Sequence, residues 1–243
     1  MKEKKFFYNG NININSNLTL ADEEFHHLSN VMRARVNDKV CLFNGDGNFY
    51  YGEITEIAKK FAKIHIDNVE ESENEPKFQI DVYQALAKGD KLSLVMQKIT
   101  ELGASNLYLY ESDFCDVKAN SNKQERMDSV SISASKQCGR ATFVNSYGVL
   151  KIKDIVDKIN EYDKFFVAYE NEDDHTLVDS LLKAELSIKK VAIMIGAEGG
   201  FSEKEINLLR ENGADIVSLG KRILRTETAA IACTAVISQL LNN

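Results

Sequence analysis

The sequence predicts an α/β protein in two parts, a small β-barrel domain followed by a larger domain with a mostly parallel sheet. Three observations carry this. Up to residue 75, short β-prone runs alternate with Gly- and Asn-containing turns. From residue 76 onward, strand and helix patterns alternate, which is how parallel sheets are built. Between them lies Glu70-Glu-Ser-Glu-Asn-Glu75, which ends at Pro76, the one proline in 243 residues. Like charges repel and bury nothing, so this stretch is expected to be a linker, separating domains 1–73 and 74–243.

The elements follow in order. Residues 40–43 and 49–54 flank Asn44-Gly-Asp-Gly47, turn residues between two β-prone runs, and predict a hairpin. Residues 61–67 alternate apolar and polar side chains and add a strand. One helix interrupts: Asp22 is placed to cap it, and Phe25, Leu28 and Met32 share one face. Short strands with turns suggest a small barrel. Beyond Pro76, 78–86 is a strand, and Asp90 caps a helix whose apolar face is Leu92, Val95, Met96, Ile99 and Leu102. Residues 107–110 form a strand, 125–138 a helix, 142–144 a short strand, 152–159 a helix, 165–169 a strand and 177–183 a helix. Residues 191–195 are all apolar, as a strand covered on both faces should be. Ser202-Glu-Lys-Glu205 is a capping box opening a helix that Gly213 closes. The last strand is 216–219, and Thr226 caps a final helix ending near residue 241.

Composition narrows the functional classes. The chain is 44% hydrophobic and 28% charged, which excludes wholesale disorder. Cys41, Cys115, Cys138 and Cys233 form no C-x-x-C pair, and His26, His27, His65 and His175 are equally scattered. The spacing fits neither a zinc site nor a disulfide framework, so no metal is expected. No stretch approaches a membrane span, and the N-terminus lacks an apolar signal core, so a cytoplasmic protein without a membrane partner is expected. Nine of the 30 basic and 13 of the 37 acidic residues precede Pro76, leaving a net charge of −7. Neither part is a basic magnet; an RNA partner would need a local Lys/Arg patch.

Two loops stand out. Ile195-Gly-Ala-Glu-Gly-Gly-Phe201 follows a buried strand and precedes a capped helix. Glycines at the C-terminal end of a parallel strand let backbone approach a ligand, and a tight turn alone explains only one of the three. No Lys-Ser/Thr follows, so this is not a phosphate loop; a neutral or cationic ligand beside Glu198 fits better. Leu219-Gly-Lys-Arg-Ile-Leu-Arg-Thr-Glu-Thr-Ala229 also joins a strand to a helix. Thr226 and Glu227 suit a helix N-terminus, which leaves Arg222 and Arg225 unexplained.

These two segments resemble the I-G-P-E-G-G and L-G-x-R-(I/V)-L-R-x-E-T-A signatures of the RsmE family, the 16S ribosomal RNA uridine-N3 methyltransferases of the SPOUT superfamily. Ala87-Lys-Gly-Asp-Lys91, Lys98-Ile-Thr-Glu-Leu-Gly103, Gln137-Cys-Gly-Arg140 and His27-Leu-Ser-Asn-Val-Met-Arg33 resemble further family segments in the same order. The resemblance implies a PUA-like RNA-binding barrel, then an α/β domain with a deep C-terminal trefoil knot. It also implies a homodimer that binds S-adenosyl-L-methionine and acts on 16S rRNA in the small ribosomal subunit. Cofactor contacts would be Ile195, Gly196, Glu198, Gly199, Gly200, Leu219, Gly220, Ile223, Leu224, Arg225 and Thr226. Arg225 would stabilise the uracil anion, and Glu227 would either act as the base or only serve the helix N-terminus; His27, Arg33, Lys88, Lys98 and Arg140 would contact RNA. Rivals are another SPOUT RNA methyltransferase, acting on tRNA or another atom, and a non-catalytic PUA-like RNA-binding protein. The chain departs from the family pattern at Ala197 and Leu109, where relatives carry Pro, and at Phe114, where Arg is common.

Overall fold

The computed structural model describes residues 5–117, 122–184 and 188–242. They form two compact units. One comprises the described residues up to Glu75 together with Ser135–Phe143, the other Pro76–Ala134 and the described residues from Val144 on.

The first unit is a five-stranded sheet in the order β1-β3-β4-β5-β2, with β1 (Lys5–Phe7), β2 (Asn17–Ala21), β3 (Lys39–Phe43), β4 (Asn48–Ile57) and β5 (Phe61–Glu71). The expected hairpin is present: β3 and β4 pair antiparallel with Lys39 opposite Glu53. Alternation places Leu18 and Leu20 of β2 and Ala62, Ile64 and Ile66 of β5 in one core with Phe6, Leu28 and Ile54. β1 and β2 escaped the sequence reading because runs of three and five residues are too short to show a period.

The helix starting near Asp22 is one α-turn, α1 (Asp22–His26), continued by a π-turn over His27–Val31. Asp22 does not cap it; it is the first helical residue, and Ala21 holds the cap position without a side-chain bond. The wider turn lets the Met32 N–H reach His27 O, at 2.9 Å, while Phe25 and Leu28 stay buried.

The acidic stretch is not a free linker. Glu70 and Glu71 finish β5, paired with Phe49 and Asn48. Glu75 accepts from Arg140 Nε at 3.0 Å, Ala141 N at 2.9 Å, Thr142 N at 3.1 Å and Thr142 Oγ1 at 2.6 Å. Burial raises the Glu75 carboxyl, but Arg140 and Thr142 outweigh that and hold it below the usual carboxylate range. This pair explains why 135–143, expected in the second domain, belongs to the first unit, where Phe143 also packs edge-on against Phe7.

The second unit is a six-stranded, wholly parallel sheet in the order β11-β9-β10-β6-β7-β8. Its elements are β6 (Gln79–Ala85), α2 (Lys91–Glu101), β7 (Asn106–Glu111), α3 (Asn122–Cys138), β8 (Asn145–Lys151), α4 (Ile152–Val156), β9 (Lys164–Ala168), α5 (Leu177–Lys183), β10 (Lys190–Ile195), α6 (Glu203–Glu211), β11 (Asp215–Val217) and α7 (Thr226–Leu241). One sheet face packs Ile80, Val82, Val191 and Ile193 against α2 and α7; the other packs Tyr83, Tyr110, Ala192 and Met194 against Ile206 and Leu209 of α6. The strand expected at 142–144 begins three residues later, because Thr142 and Phe143 are engaged in the first unit. The helix expected over 152–159 stops at Val156, and a 3-10 turn covers Ile159–Glu161.

Capping chemistry held where a side chain was free for it. Ser202 and Glu205 form the capping box of α6, and Gly213, at φ +95°, follows its end. It failed where the side chain had a stronger partner: Asp90 pairs with Arg126 at 2.6 Å and makes no cap bond to α2. Among the described residues, no helix is long and apolar enough to cross a membrane, and no His/Cys/Asp/Glu group could hold a metal ion.

Candidate functional site

In the parallel sheet, β10 lies between β9 and β6, so strands added in opposite directions meet beside it. Ligands bind at such switch points, outside the C-terminal strand ends. There the second unit has a cleft of about 410 Å³. The glycine loop (195–200, except Gly199), loop 219–226 and the segment after β9 (Tyr169, Glu170, Asp173) line it, with Lys91.

The three glycines have separate reasons. At Gly196 a Cβ would lie 3.0 Å from the Phe201 ring. At Gly199 it would lie 2.8 Å from Phe114 Cβ, so the loop after β7 leans directly on the glycine loop. At Gly200 the backbone is left-handed, at φ +74°, and a Cβ would run into the Glu170 carboxylate. The third glycine thus admits a carboxylate to the wall of the cleft. Further bonds fix the loop. Gly200 N donates to Ala197 O at 3.0 Å, and Tyr110 OH, fully buried, donates to Ile195 O at 2.8 Å. Behind it, Glu205 accepts from Asp113 N at 2.8 Å and Ser202 Oγ donates to Asp113 Oδ2 at 2.6 Å.

Glu198 is not a free carboxylate awaiting a cationic ligand. It accepts from Lys91 Nζ at 2.9 Å and from Lys88 N at 3.2 Å. Burial raises its carboxyl, and these donors more than offset that, holding it below the usual range. Lys91 Nζ also stands 4.0 Å from Glu227 Oε2, a buried oxygen with no hydrogen-bond partner. The sequence reading passed over Lys91, Glu170, Asp173 and Gln84. Only Lys91 lay within a motif already noted, and Gln84 lay in the strand expected over 78–86.

Thr226 does not cap α7. Arg225 occupies the cap position, and the Thr226 hydroxyl, buried, donates to Gly196 O at 2.6 Å. That bond joins the two loops. Leu219, Gly220, Leu224 and Arg225 all line the cleft. Ile223 lines it as an 87% exposed lip instead of a buried slot. Gly220 is needed for its φ of +95° alone, since nothing lies within 4 Å of its Cβ position.

The residues expected to touch RNA are placed differently from one another. Arg33 is exposed, with a left-handed φ of 49°. His27 packs edge-on against Phe6, its Nδ1 buried without a partner. Lys88 pairs with Asp116 on the surface, and Lys98 with Glu101 one turn along α2. Arg140 is 6% exposed and bound to Glu75, so it is a structural residue of the first unit.

A crevice at the carboxyl ends of a parallel sheet, floored by glycines and closed by an arginine-bearing loop, defines a class when its sequence is compared with known proteins. The family model for the RNA methyltransferase domain matches residues 73–238, and that for the RNA methyltransferase PUA domain matches 20–67. The chain is therefore an RNA methyltransferase with a PUA-like N-terminal domain. It is 31% identical over 228 residues to ribosomal RNA small subunit methyltransferase E of Bacillus subtilis, covering 90% of this chain and 89% of that protein. A crystal structure of ribosomal RNA small subunit methyltransferase E from Neisseria gonorrhoeae, bound to S-adenosyl methionine, superposes with a TM-score of 0.88 at 30% identity over 98% of both chains. A Legionella pneumophila methyltransferase structure with bound SAM gives 0.87 at 30% identity, again over 98% of both. The chain belongs to the ribosomal RNA small subunit methyltransferase E family.

Proposed function

We propose that the protein methylates N3 of one uridine in 16S rRNA, taking the methyl group from S-adenosylmethionine held in the cleft between the glycine loop and loop 219–226. The observation that carries this is the Thr226–Gly196 bond, which makes the two loops one site at the strand ends. The residues fit the cofactor. A volume of about 410 Å³ lies within the usual range for small-ligand sites, roughly 300–1,000 Å³. Gly196 and Gly200 put bare backbone on the wall of the cleft, and Leu219 and Leu224 supply apolar wall. No Lys-Ser/Thr is present to favour phosphate.

When bound, the cofactor supplies an electrophilic methyl on a sulfonium. The chain's part is positioning and charge. Arg225, at the mouth of the cleft and without a carboxylate partner among the described residues, stabilises the uracil oxygens as N3 loses its proton. Glu227, whose Oε2 is unpartnered, is the proposed base, with Lys91 Nζ 4.0 Å from that oxygen. Arg33 and His27 in the first unit and Lys88 in the second are the proposed RNA contacts. The family's trefoil knot, homodimeric state and cytoplasmic location belong to the same reading. Exposed Val178 and Leu182 on α5 suit a dimer face.

Mass spectrometry of rRNA from a deletion strain tests the function. Loss of a single N3-methyluridine from 16S rRNA is expected, restored by the wild-type gene; an unchanged modification profile overturns it. A monomeric mass by light scattering at micromolar concentration overturns the dimer.

A further inference from the structure

We propose that Gln84, which no motif marks, is a positioning residue that locks the two cofactor loops together through a directed relay. The proposal rests on the reading of the cleft as an S-adenosylmethionine site.

Gln84 lies on β6, opposite Ile195, the residue that opens the glycine loop. Strands of a parallel sheet covered on both faces favour aliphatic side chains. Its neighbours on the same face, Val82 and Leu86, obey this; Gln84 places a fully buried amide between them. A buried amide destabilises unless its hydrogen bonds are made, so its presence needs a cause. Both hydrogens of Nε2 are used, one on Thr226 Oγ1 at 2.8 Å and one on Ala85 O at 3.1 Å.

Those two bonds set a direction. Ala85 O can only accept, so the nitrogen end of the amide faces both partners. Thr226 therefore receives a hydrogen from Gln84 and must give its single hydroxyl hydrogen elsewhere. It gives it to Gly196 O at 2.6 Å. The order is Gln84 N–H to Thr226 O–H to Gly196 C=O, and no link can reverse. With Ile195 O held by Tyr110, two successive carbonyls of the glycine loop are fixed by buried side-chain hydroxyls. The relay engages the hydroxyl of Thr226, the first residue of α7, whose cap position is held by Arg225 without a side-chain bond. It also strands Gln84 Oε1, which is buried with no partner. An apolar residue at 84 would avoid that stranded oxygen, which is consistent with a residue kept for the geometry of the site.

The test uses the full chain with Gln84→Met, Thr226→Val and Thr226→Ser. Three quantities are read: the Kd of S-adenosylmethionine by calorimetry, the KM of both substrates and the Tm without cofactor. Gln84→Met and Thr226→Val each raise the cofactor Kd by ~10-fold, the scale of one or two buried neutral hydrogen bonds, with the KM for RNA unchanged. Thr226→Ser recovers most of the affinity lost in Thr226→Val. The double variant is no worse than Thr226→Val alone, because both cut one chain of bonds. Wild-type affinity in Gln84→Met, additive losses, or equal losses for RNA and cofactor overturn the proposal. If Gln84→Met does not fold, the Val and Ser variants at 226 decide it. A wild-type protein that binds no S-adenosylmethionine overturns the reading of the cleft and the relay's role with it; tight wild-type binding that is indifferent to Gln84 overturns the relay alone.

Discussion

Replacing Arg140 by alanine separates two roles that its sequence context leaves open. As an RNA contact, Arg140 would be spent on phosphate, and its loss would weaken RNA binding with little effect on folding. The structure instead places its guanidinium, 7% exposed, 3.0 Å from the Glu75 carboxylate, whose own side chain is 19% exposed. Removing one partner of a buried pair leaves a stranded charge, at a cost of roughly 3–5 kcal/mol. Glu75 keeps three donors, Ala141 N, Thr142 N and Thr142 Oγ1, so the cost falls to or below the bottom of that range, about 2–3 kcal/mol. For a chain of this size that lowers Tm by about 4–12 °C. The assay is thermal unfolding of Arg140→Ala and Glu75→Gln at pH 7, beside RNA affinity of the folded fraction. pH supplies a second readout. The folded Glu75 carboxyl lies below its ordinary value in an unfolded chain, so the stability it contributes is present above that ordinary value. It is lost as pH falls through the lower folded value, and the wild-type advantage over Glu75→Gln should vanish there. An Arg140→Ala protein with wild-type Tm and weakened RNA binding would refute this reasoning.

Other outcomes follow from the cleft. Gly200→Ala should weaken cofactor binding by roughly 10-fold in calorimetry, because left-handed strain of about 1–2 kcal/mol falls on a cleft residue while the exposed Glu170 carboxylate can swing aside, whereas Gly220→Ala should show about the same strain in Tm measurements. Gly199→Ala should be more damaging than Gly200→Ala and should not be rescued by Phe114→Ala, since the contact is with Phe114 Cβ, which alanine retains and which cannot swing aside. Arg225→Ala should lower kcat for methyl transfer at least 10-fold while changing cofactor Kd far less; a wild-type rate removes it from the mechanism. Lys91→Met should let the Glu198 carboxyl rise back toward its ordinary value, visible by NMR titration as a midpoint moved to higher pH.

The order of strands and helices was legible because it depends on local patterns: alternation in 61–67, the apolar run 191–195, the Ser202/Glu205 box. Both site loops were legible for a related reason, since glycines and charged residues packed between a strand and a helix have few bland explanations. Thr226 shows the limit. A threonine at the start of a helix is read as a cap, and only the fold brings Gly196 O and the Gln84 amide close enough to take its hydroxyl. Arg140 and Glu75, 65 residues apart, show the same limit for charge.

By itself, then, the sequence determined the two-part α/β plan, the loops that bear the chemistry and the family, all properties carried by short-range pattern and motif order. The tertiary structure alone decided what each polar group does: Arg140 and Glu75 neutralise each other, Lys91 neutralises Glu198, and Gln84 directs Thr226. A polar side chain's role is set by which partner satisfies it when water is removed, and those partners lie up to 142 positions away along the chain.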